Sequence, residues 1–237
     1  MFKPETIKKY IALAMACIVK LQLIADTLSV TLSRGNRKIG RFANVSLAPI
    51  VSCGNCCGCK SFCYDLKACL AYPSVLFARC KNFLLARDYR DKYFADIIRG
   101  IKNRDRRGKS LKGFRWHVGG DILDYDYFCR MVDIARMYPG WDFWTYTKMY
   151  HLVNRYVREH GGTKAAAIPS NLHIMFSVWY GMPIDNRYGF ATFRCILKDG
   201  SCSGRQQNEF MCPGNCELCF KSRAGCIGEH DSCVNEH

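Results

Sequence analysis

Between Phe114 and Trp179 the apolar pattern switches period four times, and this alternation constrains the fold more than any other feature of the chain. Phe114 to Val118 reads as a strand running into Gly119-Gly120-Asp121, and Phe128, Met131, Val132 and Ala135 then recur at helical spacing and stop before Pro139-Gly140. Phe143 to Thr147 is aromatic and β-branched, Leu152, Val153, Tyr156 and Val157 form a helical face closed by Gly161-Gly162, and His173 to Trp179 is a third strand. Strand, helix, strand, helix, strand at this spacing implies βαβ units and a parallel sheet. Upstream, the apolar positions from Ile11 to Leu28 predict an amphipathic helix, and those from Leu84 to Ile101 predict a second long helix. Val45 to Val51 reads as a short edge strand, demoted by Pro49. Beyond Gly181 the periodicity fades into Gly, Asn and Cys.

The chain has 237 residues, of which 49% are hydrophobic, enough for a sizeable core and too many for a disordered chain. Sixteen cysteines approach the density of a disulfide scaffold. Such scaffolds are short secreted modules that cannot build a core, so metal ligation in a reducing compartment is the better reading, with disulfides as the alternative. Lys8 and Lys9 precede an apolar stretch, yet Lys20, Gln22 and Asp26 interrupt it at once. The stretch is too short and too broken to span a bilayer, and the reading is a cytoplasmic protein with no membrane partner. The basic charge is confined to one half: residues 1–120 carry a formal +16 and the rest balance to −1. The densest run, Arg99 to Arg115, includes Arg104, Arg106, Arg107 and Lys109 and is opposed only by Asp105. It suits phosphate binding to DNA or RNA without sequence readout, or equally a solvated loop.

Three constellations carry chemistry. The first is Cys53-Gly-Asn-Cys56-Cys57-Gly-Cys59-Lys-Ser-Phe-Cys63, a glycine-loosened loop able to surround a metal or an iron–sulfur cluster. Thiolates serve zinc and iron alike, and no histidine in the loop decides between them. The second is Cys212-Pro-Gly-Asn-Cys216-Glu-Leu-Cys219, with Cys202, Cys226 and Cys233 around it. Its C-x3-C-x2-C spacing holds three irons of a 4Fe-4S cluster in radical S-adenosylmethionine enzymes, while a zinc knuckle is the alternative, to which His230 and His237 could contribute. The third is Gly119-Gly120-Asp121 at the carboxyl end of a strand, the edge where parallel α/β folds bind ligands. Its plainer reading is a tight turn in which Asp121 or Asp124 caps the next helix. Thr145 to Lys148 and Ser177 end neighbouring strands and could line the same mouth, the alternative for each being ordinary strand chemistry. Cys17, Cys69, Cys80 and Cys129 read as small buried hydrophobes, the four tryptophans as core, and His151, His160 and His173 have no partner at ligand spacing.

The runs Gly35 to Gly40, Val45 to Pro49, Cys53-x5-Cys59-x3-Cys63-Tyr64, Arg115 to Asp121, Phe143 to Lys148, Ile184-Asp-Asn and Cys212 to Glu217, in this order, resemble the phage gene product 88 family of phages and bacterial mobile elements. The similarity spans about residues 30–220. It implies a bacterial host cell and a shape similar to the radical S-adenosylmethionine half-barrel, and says more about architecture than about activity. The first loop departs from those enzymes in having C-x5-C-x3-C and the additional Cys56 and Cys57. The expected architecture is an α/β incomplete parallel (β/α) barrel, with an N-terminal helix in 1–32, the partial barrel in 33–190 and a cysteine-rich extension in 191–237 folding back over the strand ends. Cys53, Cys59 and Cys63 would ligate an iron–sulfur cluster. Cys212, Cys216 and Cys219 would serve the same site or a second one. Gly119, Gly120 and Asp121 would hold the aminoacyl part of S-adenosylmethionine, in an enzyme acting on nucleic acid or a nucleotide. The competing expectation is a zinc- or cluster-stabilised nucleic-acid binder without catalysis.

Overall fold

The structure is a computed structural model and describes residues 1–33, 35–36, 38–54, 58–106, 111–198 and 206–236. Cys56, Cys57, Cys202, Arg107, Lys109 and His237 therefore lie outside the described residues. The chain forms two compact units that interleave in sequence: 1–33, 44–110 and 117–123 make the first, and 34–43, 111–116 and 124–237 the second.

The first unit is helical. Pro4 opens α1 (Pro4–Gln22), where its missing N–H costs nothing, and Ile7, Tyr10, Ala14, Ile18 and Leu21 are buried at three- and four-residue spacing. A two-residue strand, β1 (Ala43–Asn44), stands at the junction of the units, and α2 (Tyr64–Ala71), α3 (Pro73–Asp88) and α4 (Arg90–Arg106) follow. The single helix expected over Leu84 to Ile101 is two: Tyr89 leaves the helical region at φ −128° and ψ 49°, and α4 starts one residue later. Buried Asn82 donates to the carbonyls of Thr31 and Ser46 at 3.0 Å and accepts from the Thr31 N–H, satisfying the loop before β1. The expected strand over Val45 to Val51 is a loop instead. Its polar groups pair locally and with residues 118–119, through Val118 N–H to Val45 O at 3.4 Å and Leu47 N–H to Gly119 O at 2.9 Å.

The second unit is built on a parallel sheet, confirming the α/β class. β2 (Gly113–Arg115), α5 (Tyr125–Met137), β3 (Asp142–Thr147), α6 (Tyr150–Glu159), α7 (Lys164–Ala167) and β4 (Leu172–Val178) supply the expected alternation. Past the point where periodicity fades, the chain adds β5 (Thr192–Ile196), β6 (Phe210–Met211), α8 (Cys216–Ser222) and β7 (Ser232–Asn235). The sheet order is β1-β2-β3-β4-β5-β7-β6, and the pairings from β2 to β6 are parallel. The order is linear, so among the described residues the sheet is open; barrel closure requires the two edges to pair. Side chains alternate along β3: Phe143 packs against Phe114 with ring centroids 6.0 Å apart on one face, while Asp142, Trp144 and Tyr146 point to the other. That second face receives the C-terminal segment, where Arg223 reaches Asp142 and Tyr146 reaches Cys226. The segment expected over the strand ends, 191–237, thus lies on a sheet face and also contributes three strands, β5, β6 and β7. Among the described residues no helix is long and apolar enough to cross a membrane.

Candidate functional site

In the first unit the cysteine loop follows a turn in which Ile50 has φ 68°. That left-handed conformation is unfavourable for a β-branched side chain, and the Cys53 N–H closes the turn on Ile50 O at 3.2 Å. Cys59 lies on one turn of 3₁₀ helix (Gly58–Phe62), and Cys63 caps α2, its sulfur accepting from the Leu66 N–H at 3.4 Å. Burial pushes the Cys63 thiol up to about 12, and Asp65 and Cys53 add to it, so it holds its proton at neutral pH until something displaces it.

The same unit places the Gly119-Gly120-Asp121 turn beside this loop. The Tyr64 hydroxyl donates to Val118 O, and Asp65, held by Arg79 through two bonds of 3.0 and 3.1 Å, lies against Gly119. A Cβ on Gly119 would sit 1.7 Å from Asp65 Oδ2, and one on Gly120 would meet Ser52 Oγ at 2.6 Å and Leu47 Cβ at 2.7 Å. The close approach that these glycines permit is taken up by the protein's own groups. Asp121 is buried and its Oδ1 accepts from the Ile122 N–H at 2.7 Å, whereas Asp124 caps α5 by accepting from Tyr127. His117, fully buried beside the turn, is held neutral by desolvation, its pKa pushed down to about 3.

In the second unit the C-terminal cysteines gather on the sheet face. Cys212 continues β6, its N–H bonded to Cys233 O at 2.8 Å. Asn215 caps α8 by accepting from the Leu218 N–H at 3.1 Å, which sets Cys216 and Cys219 on the first turn. Gly225, at φ 54°, bends the chain so that Cys226 meets the Tyr146 hydroxyl, which donates to its sulfur at 2.9 Å. The Arg115 guanidinium stacks 4.7 Å from the Tyr146 ring and bonds the Cys216 thiol. Burial pushes Cys219 up to about 11 and Cys226 up to about 12; Cys212 raises both further, while Tyr146 and Arg115 draw Cys226 down. Among the described residues, no three His, Cys, Asp or Glu side chains converge in the geometry of a bound metal. His230 is exposed. Of the basic candidates, Arg106 is exposed and Arg104 half-buried in the last turn of α4.

One cluster was not legible beforehand. His173 lies between Asp142, 2.8 Å from its Nε2, and Glu229, 3.3 Å from its Nδ1. Arg223 bonds the far oxygen of Asp142 at 2.7 Å, and Lys164 pairs with Glu229. These partners are 31 and 56 residues from His173, so no local spacing announces them. Burial opposes the charge on His173, but both carboxylates raise its pKa above the ordinary value. Burial likewise opposes ionisation of Glu229, yet His173 and Lys164 hold it down to about 2, and Asp142 is lowered in the same way. The stabilisation from His173 is full below its ordinary pKa near ~6.5 and is lost as pH rises through the raised value. That from the carboxylates is full above about 4.3 and is lost as pH falls toward 2. Stability should therefore peak between about pH 4.5 and 6.5. His173→Gln should cost roughly 3 kcal/mol in that window by leaving two carboxylates short of a partner. Urea unfolding at pH 5.5 and 8.5 checks this, and an equal loss at both pH values would contradict it.

Together the elements define a parallel α/β protein with thiol-rich loops in each unit. The chain belongs to the Gene product 88 family, whose sequence profile matches residues 24–180. The matched span includes the first cysteine loop, the Gly-Gly-Asp turn and β2 to β4, and stops short of Cys212 to Cys226. No curated protein and no solved structure matches the chain.

Proposed function

We propose that this chain is an iron–sulfur protein whose centre is held by Cys212, Cys216, Cys219 and Cys226. One observation carries the reading: four cysteines in C-x3-C-x2-C-x6-C order gather in one region of the second unit, Cys212 near enough to Cys216, Cys219 and Cys226 to raise the pKa of each, with a guanidinium directed at Cys216 and a phenol hydroxyl at Cys226. Thiolates are the soft donors that iron–sulfur clusters and zinc select, and a neighbouring cation with sulfur-directed hydrogen bonds offsets their combined negative charge. Because no three described sulfurs stand at ligand geometry, metal binding would require them to close in, and it would release their protons. The test is iron, zinc and acid-labile sulfide content on protein purified without oxygen. Matching iron and sulfide with a broad absorbance near roughly 400 nm is the expected result. Zinc without colour would replace the cluster by a structural metal, and the absence of any metal would remove the centre.

A second reading is favoured by the first unit, which sets Cys53, Cys63 and the Gly119 to Asp121 turn side by side. In it, Cys53, Cys59 and Cys63 hold a cluster, Asp121 receives the amino group of S-adenosylmethionine, and the protein is a radical enzyme acting on a nucleotide or nucleic acid of a bacterial host. The reduced cluster would supply the electron that cleaves the sulfonium. Asp65 and Ser52, which fill the space beside the two glycines, weigh against it. Release of 5′-deoxyadenosine by reconstituted protein decides the matter. The nucleic-acid partner rests on the +16 of residues 1–120 and on Arg104 and Arg106, with Arg107 and Lys109 beyond them in sequence. Binding to DNA or RNA that does not weaken with salt would exclude that partner.

A further inference from the structure

The second unit has an open cavity of about 650 Å³ at the amino-terminal ends of β3 and β4, the edge opposite the one where the sequence placed a ligand site. Its volume lies in the range of small-molecule pockets. Ile168, Pro169, Leu172 and Ile227 give it an apolar wall, and Lys164, Ser170 and Arg223 line it with donors. Four members of the ion-pair network described above, Lys164, His173, Arg223 and Glu229, belong to its lining, while Asp142 bonds His173 and Arg223 from outside the lining. With His173 protonated the five groups together carry one net positive charge. Arg223 is the donor best placed for a ligand. Its Nη1 is anchored on Asp142, its side chain is 54% exposed, and among the described residues its other two nitrogens have no protein partner. Asp142 thus fixes the plane of the fork and leaves a second edge for a planar or tetrahedral oxyanion.

We propose that this cavity binds a small organic oxyanion, a phosphate monoester or carboxylate, with its charged head on Arg223 and Lys164 and its apolar body against Ile168, Pro169, Leu172 and Ile227. The cavity shares the segment from Cys216 to Glu229 with the proposed cysteine centre but uses none of its sulfurs, so the titration is run on protein whose metal content has been measured, and an anion that fails to bind to metal-loaded protein counts against this site alone. The experiment is a calorimetric titration of the full chain with phenyl phosphate, benzoate and phenol, three probes that share one ring and differ in the head. At least one of the two anions should bind at one site per chain with an affinity on the order of millimolar or tighter, and phenol should not. Binding of phenyl phosphate alone assigns a phosphomonoester head, and binding of benzoate alone assigns a carboxylate. Arg223→Gln should weaken the bound anion at least tenfold. Ala165→Glu, which sets a negative charge on the cavity wall without touching any ion pair, should do the same even if Arg223→Gln loosens the fold. Arg155→Gln, in an exposed pair with Glu159, should change nothing. The proposal is overturned if neither anion binds, if phenol binds as well as they do, or if Ala165→Glu leaves the affinity within twofold.

Discussion

Gly119→Ala should destabilise the protein by about 3 kcal/mol or more, the range found when a buried ion pair is broken. The added methyl would lie 1.7 Å from Asp65 Oδ2 and 2.3 Å from its Cγ. A flexible exposed carboxylate would swing aside at little cost. Asp65 cannot, because its side chain is 4% exposed and both oxygens are committed to Arg79. Accommodation must separate the pair or shift the 117–120 segment, which is tied to Val45 and Leu47 through the backbone. Denaturant unfolding of Gly119→Ala, Asp65→Ala and the double variant tests this. The two losses should be far from additive, since each disrupts the same pair. Additive losses, or a Gly119→Ala variant as stable as the parent, would show that Asp65 does not hold this glycine. The same variant separates the two uses of the turn. A glycine kept free for S-adenosylmethionine would cost ligand binding and leave stability intact, whereas one kept free for Asp65 costs stability first.

The parts of the fold legible in the sequence are those where burial imposes a period. β3 and β4 lie inside a parallel sheet; after Asp142, β3 reads as a run of aromatic and β-branched residues, and β4 as a largely apolar run from Leu172 to Val178. The strands β5, β6 and β7 were not legible: they are two to five residues long and set among Gly, Asn and Cys, too short for a period to register. The Val45 to Val51 stretch has strand composition, but Pro49 removes one donor and its other groups bond locally, to Asn82 or to Val118 and Gly119, so it stays a loop. Cysteine spacing showed where thiols concentrate, and the structure joins Cys212, Cys216 and Cys219 to a fourth, Cys226, through the turn at Gly225. It could not show Arg115 and Tyr146 beside them, since β-sheet register and not sequence proximity brings these together. His173 was illegible for the same reason, with one partner on the adjacent strand and the other on the C-terminal segment.

Cys226→Ser is the variant that decides whether the proposed centre of the second unit would have four cysteine ligands or three. If all four sulfurs are ligands, the site is closed. Replacing one thiolate by a hydroxyl, a much poorer donor for zinc or iron, should then remove most of the metal from purified protein. Because the binding energy of a structural thiolate site is folding energy, on the order of 10 kcal/mol for zinc in small domains, the loss should also unfold the segment carrying α8 and β7. The melting temperature should fall, and the amide protection of residues 212–235 should disappear. If instead Cys212, Cys216 and Cys219 alone hold a cluster and leave one iron open, Cys226→Ser keeps its iron and sulfide, and only the position of the absorbance band shifts. The Tyr146 hydroxyl supplies the control. Its single bond to Cys226 orients that sulfur without ligating, so Tyr146→Phe should retain the metal in both cases and lower its affinity about tenfold or more only when Cys226 is a ligand. Metal retained in full by Cys226→Ser together with an unchanged Tyr146→Phe would assign the site to three cysteines and direct attention to what occupies the open iron.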